Sequence, residues 1–168
     1  MSGKTTILFG ENLTLGTGNV LAALQTAAAG SNGANVYVKR LEISQSGSTT
    51  LAMIRGEIST RNTSGTLTMT SLAPVTLRPV GGTASGISGS TAPAGGTARS
   101  GINSSADTGG TYTQLVPFNF ANTAGYLFKP DPDEEIWIPA STLMTVRLLA
   151  TPGTTTGWTF TLWMREEG

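Results

Sequence analysis

The chain has 168 residues, no histidine, no cysteine, and ten basic residues against ten acidic ones. Missing imidazole and thiol remove the commonest general base, the commonest zinc ligands and the cysteine nucleophile, and they exclude a disulfide framework. Zero formal charge, with 12% charged residues against about 25% in an average domain, supplies no field to steer the chain to nucleic acid or an anionic membrane.

The length fits one domain, large enough to bury a core without staples. At the start, Lys4 precedes the apolar Ile7, Leu8 and Phe9, but Glu11, Asn12, Gly16 and Gly18 break any signal-peptide core. No apolar run approaches the roughly 20 residues of a membrane helix, so the expectation is a soluble chain. Residues 5–9 read as a short strand. Residues 20–29, VLAALQTAAA, have helix-favouring composition but no polar face, and ten residues are marginal for a lone helix. Residues 1–34 are therefore expected to form an extended N-terminal arm whose 20–29 stretch lies on something apolar. On that reading, deleting 1–34 leaves a folded sandwich that has lost its grip on neighbours.

A β-sandwich domain is expected over 35–168. Residues 35–43 alternate with a slip of phase near Lys39 and Arg40, the sign of a bulge. Residues 51–60 put Ala52, Ile54 and Ile58 on one side, and 66–77 continue with β-branched residues until Pro74. Residues 79–110 are low complexity. After the opening Pro79-Val80-Gly81-Gly82, Ile87 and Ile102 are their only large aliphatics, and Arg99 and Asp107 their only charges, so the stretch reads as one long Gly/Ser-rich loop without a core of its own.

The strongest strand signals come last. Val116, Phe118 and Phe120 alternate; Tyr126 and Phe128 follow a turn; Ile136 and Ile138 flank Trp137; Met144, Val146 and Leu148 alternate again. Trp158, Phe160, Leu162 and Met164 then point one way while Thr159, Thr161, Trp163 and Arg165 point the other, the period of a half-buried antiparallel strand. Many short strands separated by Pro, Gly, Asn and Asp turns, with no convincing helix, predict an all-β antiparallel sandwich of the jelly-roll type.

Each constellation that could carry chemistry has an ordinary counterpart. Residues 131–135, DPDEE, offer carboxylates for Ca²⁺ but lack the spacing and glycine of a dedicated loop, so a solvated turn with Pro132 fixing φ is expected. Glu42 and Glu57 could be a glycosidase pair, yet exposed strand glutamates are common and no cleft is indicated. The fragment Gly16-Thr17-Gly18-Asn19 has Leu21 where a dinucleotide-binding turn needs its third glycine. Lys39, Arg40, Arg55 and Arg61 have only Tyr37 among them, too few aromatics for single-strand nucleic-acid binding, and are expected to be rim residues or cross-strand partners of Glu42 and Glu57. Trp137 and Trp163 stand opposite in phase to the core set, where tryptophan anchors an interface, stacks on sugars, or is simply covered by a second sheet or the N-terminal leader. No catalytic, cofactor-binding or metal residue is expected. The candidate interface residues are Val20, Leu21, Leu24, Ile87, Ile102, Trp137 and Trp163.

The layout of VYVKRLEIS (36–44), SLAPVTLRP (71–79), the long insertion, DEEIWIPASTLMTVRLLA (133–150) and WTFTLWMREE (158–167) resembles that of small bacteriophage structural proteins with a β-sandwich or jelly-roll fold. The resemblance covers roughly residues 35–168 and rests on strand and turn pattern. It implies a virion component on the phage head exterior. This would be a decoration (cement) protein bound outside the shell, commonly as a homotrimer, with the major capsid protein and its own copies as partners. Tail and fibre proteins share the fold, so a tail-associated receptor- or glycan-binding module is the alternative.

Overall fold

The computed structural model describes residues 4–16, 19–26, 35–62, 66–70, 75–78 and 101–167. Twelve strands fill them: β1 (Lys4–Leu13), β2 (Val20–Gln25), β3 (Asn35–Gln45), β4 (Met53–Arg61), β5 (Thr66–Thr70), β6 (Val75–Arg78), β7 (Gly101–Thr108), β8 (Tyr112–Ala121), β9 (Tyr126–Phe128), β10 (Ile136–Ile138), β11 (Leu143–Leu148) and β12 (Trp158–Glu167). They form two antiparallel sheets. The first, sheet A, runs β10-β3-β12-β1-β6, with β9 also on β3; the second, sheet B, runs β5-β7-β2-β11-β4-β8.

The pairing is nested. β1 pairs with β12, β2 with β11, β3 with β10, and β4 with β8. A long hairpin rolled on itself gives this first-with-last order, which is the jelly roll. The segment between β4 and β8 adds strands beyond the roll, β6 onto β1 in sheet A and β7 and β5 beyond β2 in sheet B.

Two expectations are corrected here. The described part of the expected 1–34 arm is not outside the sandwich, because β1 and β2 are inner strands of the two sheets. Nor do residues 79–110 form one loop, because 101–108 are strand β7, paired to both β2 and β5. The stretch 66–77 divides into β5 and β6, which belong to different sheets. Residues 27–34, 71–74 and 79–100, and with them Ile87, lie outside the described residues.

The core between the sheets takes Leu8, Val38, Leu41 and Ile43 from sheet A and Leu21, Leu24, Ile58 and Phe118 from sheet B, closed by Trp158, Phe160 and Leu162 of β12. The slip near Lys39 is a bulge: Trp163 faces Arg40, and the next residue, Met164, faces Val38. Gly56 sits where Ile54 and Ile58 point inward, and a Cβ there would meet the Phe118 ring at 2.3 Å. The ring occupies the space that glycine leaves.

β7 keeps only two residues against β2, then leaves with β5 as a two-stranded ribbon. A second, smaller apolar cluster joins Leu67 and Met69 of β5 to Val20, Ala23 and Leu143 on the outer side of sheet B. The ribbon therefore lies over one half of that outer face.

Candidate functional site

In sheet A every second residue faces out, and register places these residues in rows. Trp137, Tyr37 and Arg165 share one row; Arg40, Trp163 and Ile7 the next; Leu127, Glu42, Thr161 and Phe9 a third. Guanidinium groups cover two of the rings. Arg165 lies 4.4 Å above Tyr37 and Arg40 4.6 Å above Trp163. Arg165 also holds Glu135 at 3.1 Å and Glu167 at 2.6 Å, Lys39 reaches Glu135 at 3.4 Å, and Arg40 pairs with Glu42. The Arg40–Glu42 and Arg165–Glu167 pairs are partly exposed and worth about 0–1 kcal/mol each. The Glu135 carboxylate, at 7% exposure, is held between Lys39 and Arg165, so together these pairs cancel charge and stiffen the face. Trp137 is left bare at 56% exposure, its Nε1–H donating to Asn35 Oδ1, and Leu127 at 56% and Phe9 at 41% are exposed in the third row. This is an apolar surface whose central charges are paired within the chain.

The outer face of sheet B is built differently. Under the ribbon, Ser59 and Thr145 are fully buried and share a hydrogen bond of 2.9 Å. Arg61, with no exposed side-chain surface, donates from Nη2 to Asp107 Oδ1 at 2.7 Å and from Nε to the same oxygen at 3.1 Å. Tyr112 donates its hydroxyl to Asp107 and lies beneath both Arg61 and Arg147, the latter 3.6 Å from its ring centre. Arg147 Nε continues to Glu57 at 2.8 Å, and the Gln114 amide donates to the same carboxylate. One chain of polar contacts thus ties the ribbon to β4, β8 and β11. A Cβ on Gly110 would lie 2.2 Å from Arg61 Nε, so the backbone is pressed onto the guanidinium.

Burial and the Asp107 carboxylate push the Tyr112 phenol up to about 12. The folded state therefore holds the phenolic proton more tightly than the unfolded chain. The resulting stability is complete below pH 10 and is lost as pH rises from there through about 12. For a half-buried phenol this is on the order of 1 kcal/mol after solvent screening. Urea midpoints measured across that range should fall more steeply for the wild type than for Tyr112→Phe, the two curves converging at the alkaline end. Parallel curves would contradict the assignment.

Beyond the ribbon, the other half of face B is uncovered. Leu51 is 69% exposed, Met53 68% and Leu149 43%. Met53 precedes Arg55 by two residues on the same side of β4, and the Leu149 backbone bonds to the Arg55 carbonyl. Arg55 is exposed and makes no ion pair among the described residues.

The residues singled out by sequence separate sharply. Leu21 and Leu24 lie in the main core, and Val20 lies under the ribbon, each with no exposed surface, so none is a contact residue for another chain. Their apolar partner is the sandwich itself. Ile102 pairs across to Ala22 and Thr70 inside sheet B. Trp137 and Trp163 do share one outer face, but only Trp137 is bare. Glu42 and Glu57 lie on opposite outer faces of the sandwich, paired to Arg40 and Arg147, and share no cleft. In the 131–135 turn, Glu135 is held by Lys39 and Arg165, and among the described residues no group of three carboxylates is placed to hold a metal. At one end of the sandwich a pocket of about 290 Å³ is rimmed by Gln45, Ser48, Thr50 and Asn122. The Gln45 and Asn122 amides there already bind Thr156, Ser48, Ala52 and Thr50 of the surrounding loops. Among the described residues no helix is long and apolar enough to cross a membrane.

Sequence reasoning missed the Leu51–Met53–Leu149 patch and the Arg61–Asp107–Tyr112 cluster. Asp107, one of two charges in an otherwise neutral tract, was the available signal for the cluster. No protein-family model, no curated protein sequence and no solved structure matches the chain.

Proposed function

We propose that this chain is a structural protein of a phage particle, a head-decoration protein that acts by contact and carries out no covalent chemistry. The observation that carries this reading is the pair of uncovered apolar surfaces on opposite sides of one jelly roll, around Trp137 and Leu127 on sheet A and around Met53 and Leu51 on sheet B. A module with two contact faces back to back can bridge two neighbours, as a cement protein bridges capsid subunits. Specific interfaces bury roughly 1,200–2,000 Å² in total, and a bare tryptophan is the side chain most suited to anchor one. Repeated over a symmetric shell, modest gains at each site add to resistance against internal pressure. The shell protein and other copies of this chain are the partners in this reading.

Labelling the chain on particles of the virus that encodes it tests the proposal. The expected result is label distributed over the head exterior, with heads lacking the chain breaking at lower temperature. Label confined to the tail, together with saccharide binding by the isolated protein, would replace it with the second reading. That reading is a glycan-binding tail module, favoured by the exposed Trp137 ring on which a sugar can stack. Particles without the chain would overturn both.

A further inference from the structure

The two uncovered surfaces differ in their free charges. Next to Trp137, the turn holding Asp131, Asp133 and Glu134 is exposed, and none of the three makes an ion pair among the described residues. Beside Met53 and Leu149, the cation Arg55 is the only charge without an ion pair among the described residues. Of the other charges described on the two faces, Lys39, Arg40 and Arg165 are matched against Glu42, Glu135 and Glu167, and Arg147 against Glu57. Glu11 on β1 and Lys129 beside the acidic turn are exposed and form no ion pair among the described residues, leaving the balance on the sheet A side negative. One apolar patch thus carries a net negative rim, three carboxylates against the single cation Lys129, and the other a positive centre.

We propose that the chain joins a second copy of itself head to tail, the Trp137 side of sheet A seating on the Met53–Leu149 patch of sheet B. The acidic turn then meets Arg55 of the next copy. Two copies related by a two-fold axis would bring like patch against like, setting acid on acid and cation on cation. Complementary patches on opposite faces instead leave each copy with one free half after every addition. Such contacts close into a ring when the rotation allows and otherwise run on as a filament. Charge complementarity of this kind fixes register and orientation, while the apolar pair supplies the buried area.

This rests on the reading of the two surfaces as contact faces, not on the head assignment, and the test separates them by using the isolated full-length chain. Molar mass is measured by light scattering and sedimentation over a range of concentrations, with circular dichroism to confirm the fold of each variant. The wild type should exceed monomer mass. Trp137→Asp and Arg55→Glu should each weaken association about tenfold or more. A mixture of the two variants, one with a sound B patch and the other with a sound A patch, should form one-to-one dimers and stop. The charge exchange Arg55→Glu with Asp133→Arg and Glu134→Arg in one chain should restore assembly. A wild type that stays monomeric, variants that assemble unchanged, or a mixture that remains monomeric would each overturn the head-to-tail contact. None of these outcomes would bear on where labelled chain sits in a particle.

Discussion

A chain lacking residues 1–34 should not fold. The deletion removes β1, which pairs on one side with β12 and on the other with β6, and β2, which stands between β11 and β7. Leu8, Leu15, Leu21 and Leu24 go with them, all at 5% exposure or less. At about 2–5 kcal/mol for each buried leucine, these four alone match the roughly 5–15 kcal/mol that holds a whole domain together. Each sheet would also be split at an inner strand, baring two new hydrogen-bonding edges that invite aggregation. Far-ultraviolet circular dichroism and proton spectra of the truncated chain should lack a cooperative melt and dispersed amide signals. A sharp transition with native-like dispersion would show that the roll survives without its first two strands.

The second large effect is expected at Asp107. Replacing it with alanine strips the counter-ion from Arg61, whose side chain has no exposed surface. Breaking one partner out of a buried pair costs about 3–5 kcal/mol. The lower end applies here, because Arg61 keeps the Asn62, Thr66 and Thr108 carbonyls as acceptors. Denaturant midpoints should register about 3 kcal/mol, and hydrogen exchange should rise first in β5 and β7. Replacing Arg61 and Asp107 together with leucines should cost far less than either change alone, since no buried charge is then left unanswered. A loss below about 1 kcal/mol for Asp107→Ala would mean that the ribbon is held by its apolar cluster alone.

Much of the fold was legible because antiparallel strands with one wet face write their burial as alternation. β8, β11 and β12 carry that pattern, and the core takes Phe118, Phe120, Met144, Val146, Trp158 and Phe160 as the phase predicts. β2 defeated the same reasoning because it is covered on both sides, with Leu21 and Leu24 toward the core and Val20 and Ala23 under the ribbon. A strand without a wet face has no alternation to read, and its alanines then suggest a helix or an arm. β7 was hidden for the opposite reason: Gly-Ile-Asn-Ser-Ser-Ala-Asp-Thr has little strand preference, and backbone pairing to β5 and β2 makes it a strand.

The candidate site was legible only in part, along the same lines. Phase alone set Trp137 and Trp163 outside the core, but the guanidinium over Trp163 depends on the bulge at Lys39. The bareness of Met53 follows from where the ribbon stops, and the Arg61–Asp107 pair joins residues 46 apart in the chain. Neither is a local property.

β1 and β12 lie side by side in opposite directions, with Lys4 across from Glu166. A tag or partner domain joined to either end would therefore emerge at the same corner of the roll, beside its counterpart. Tension drawn between those two points would not shear the ladder all at once. It would open like a zipper, one rung after another from Lys4 inward, the direction in which a sheet is mechanically weakest. A load delivered across the broad sides would instead be resisted by whole sheets together.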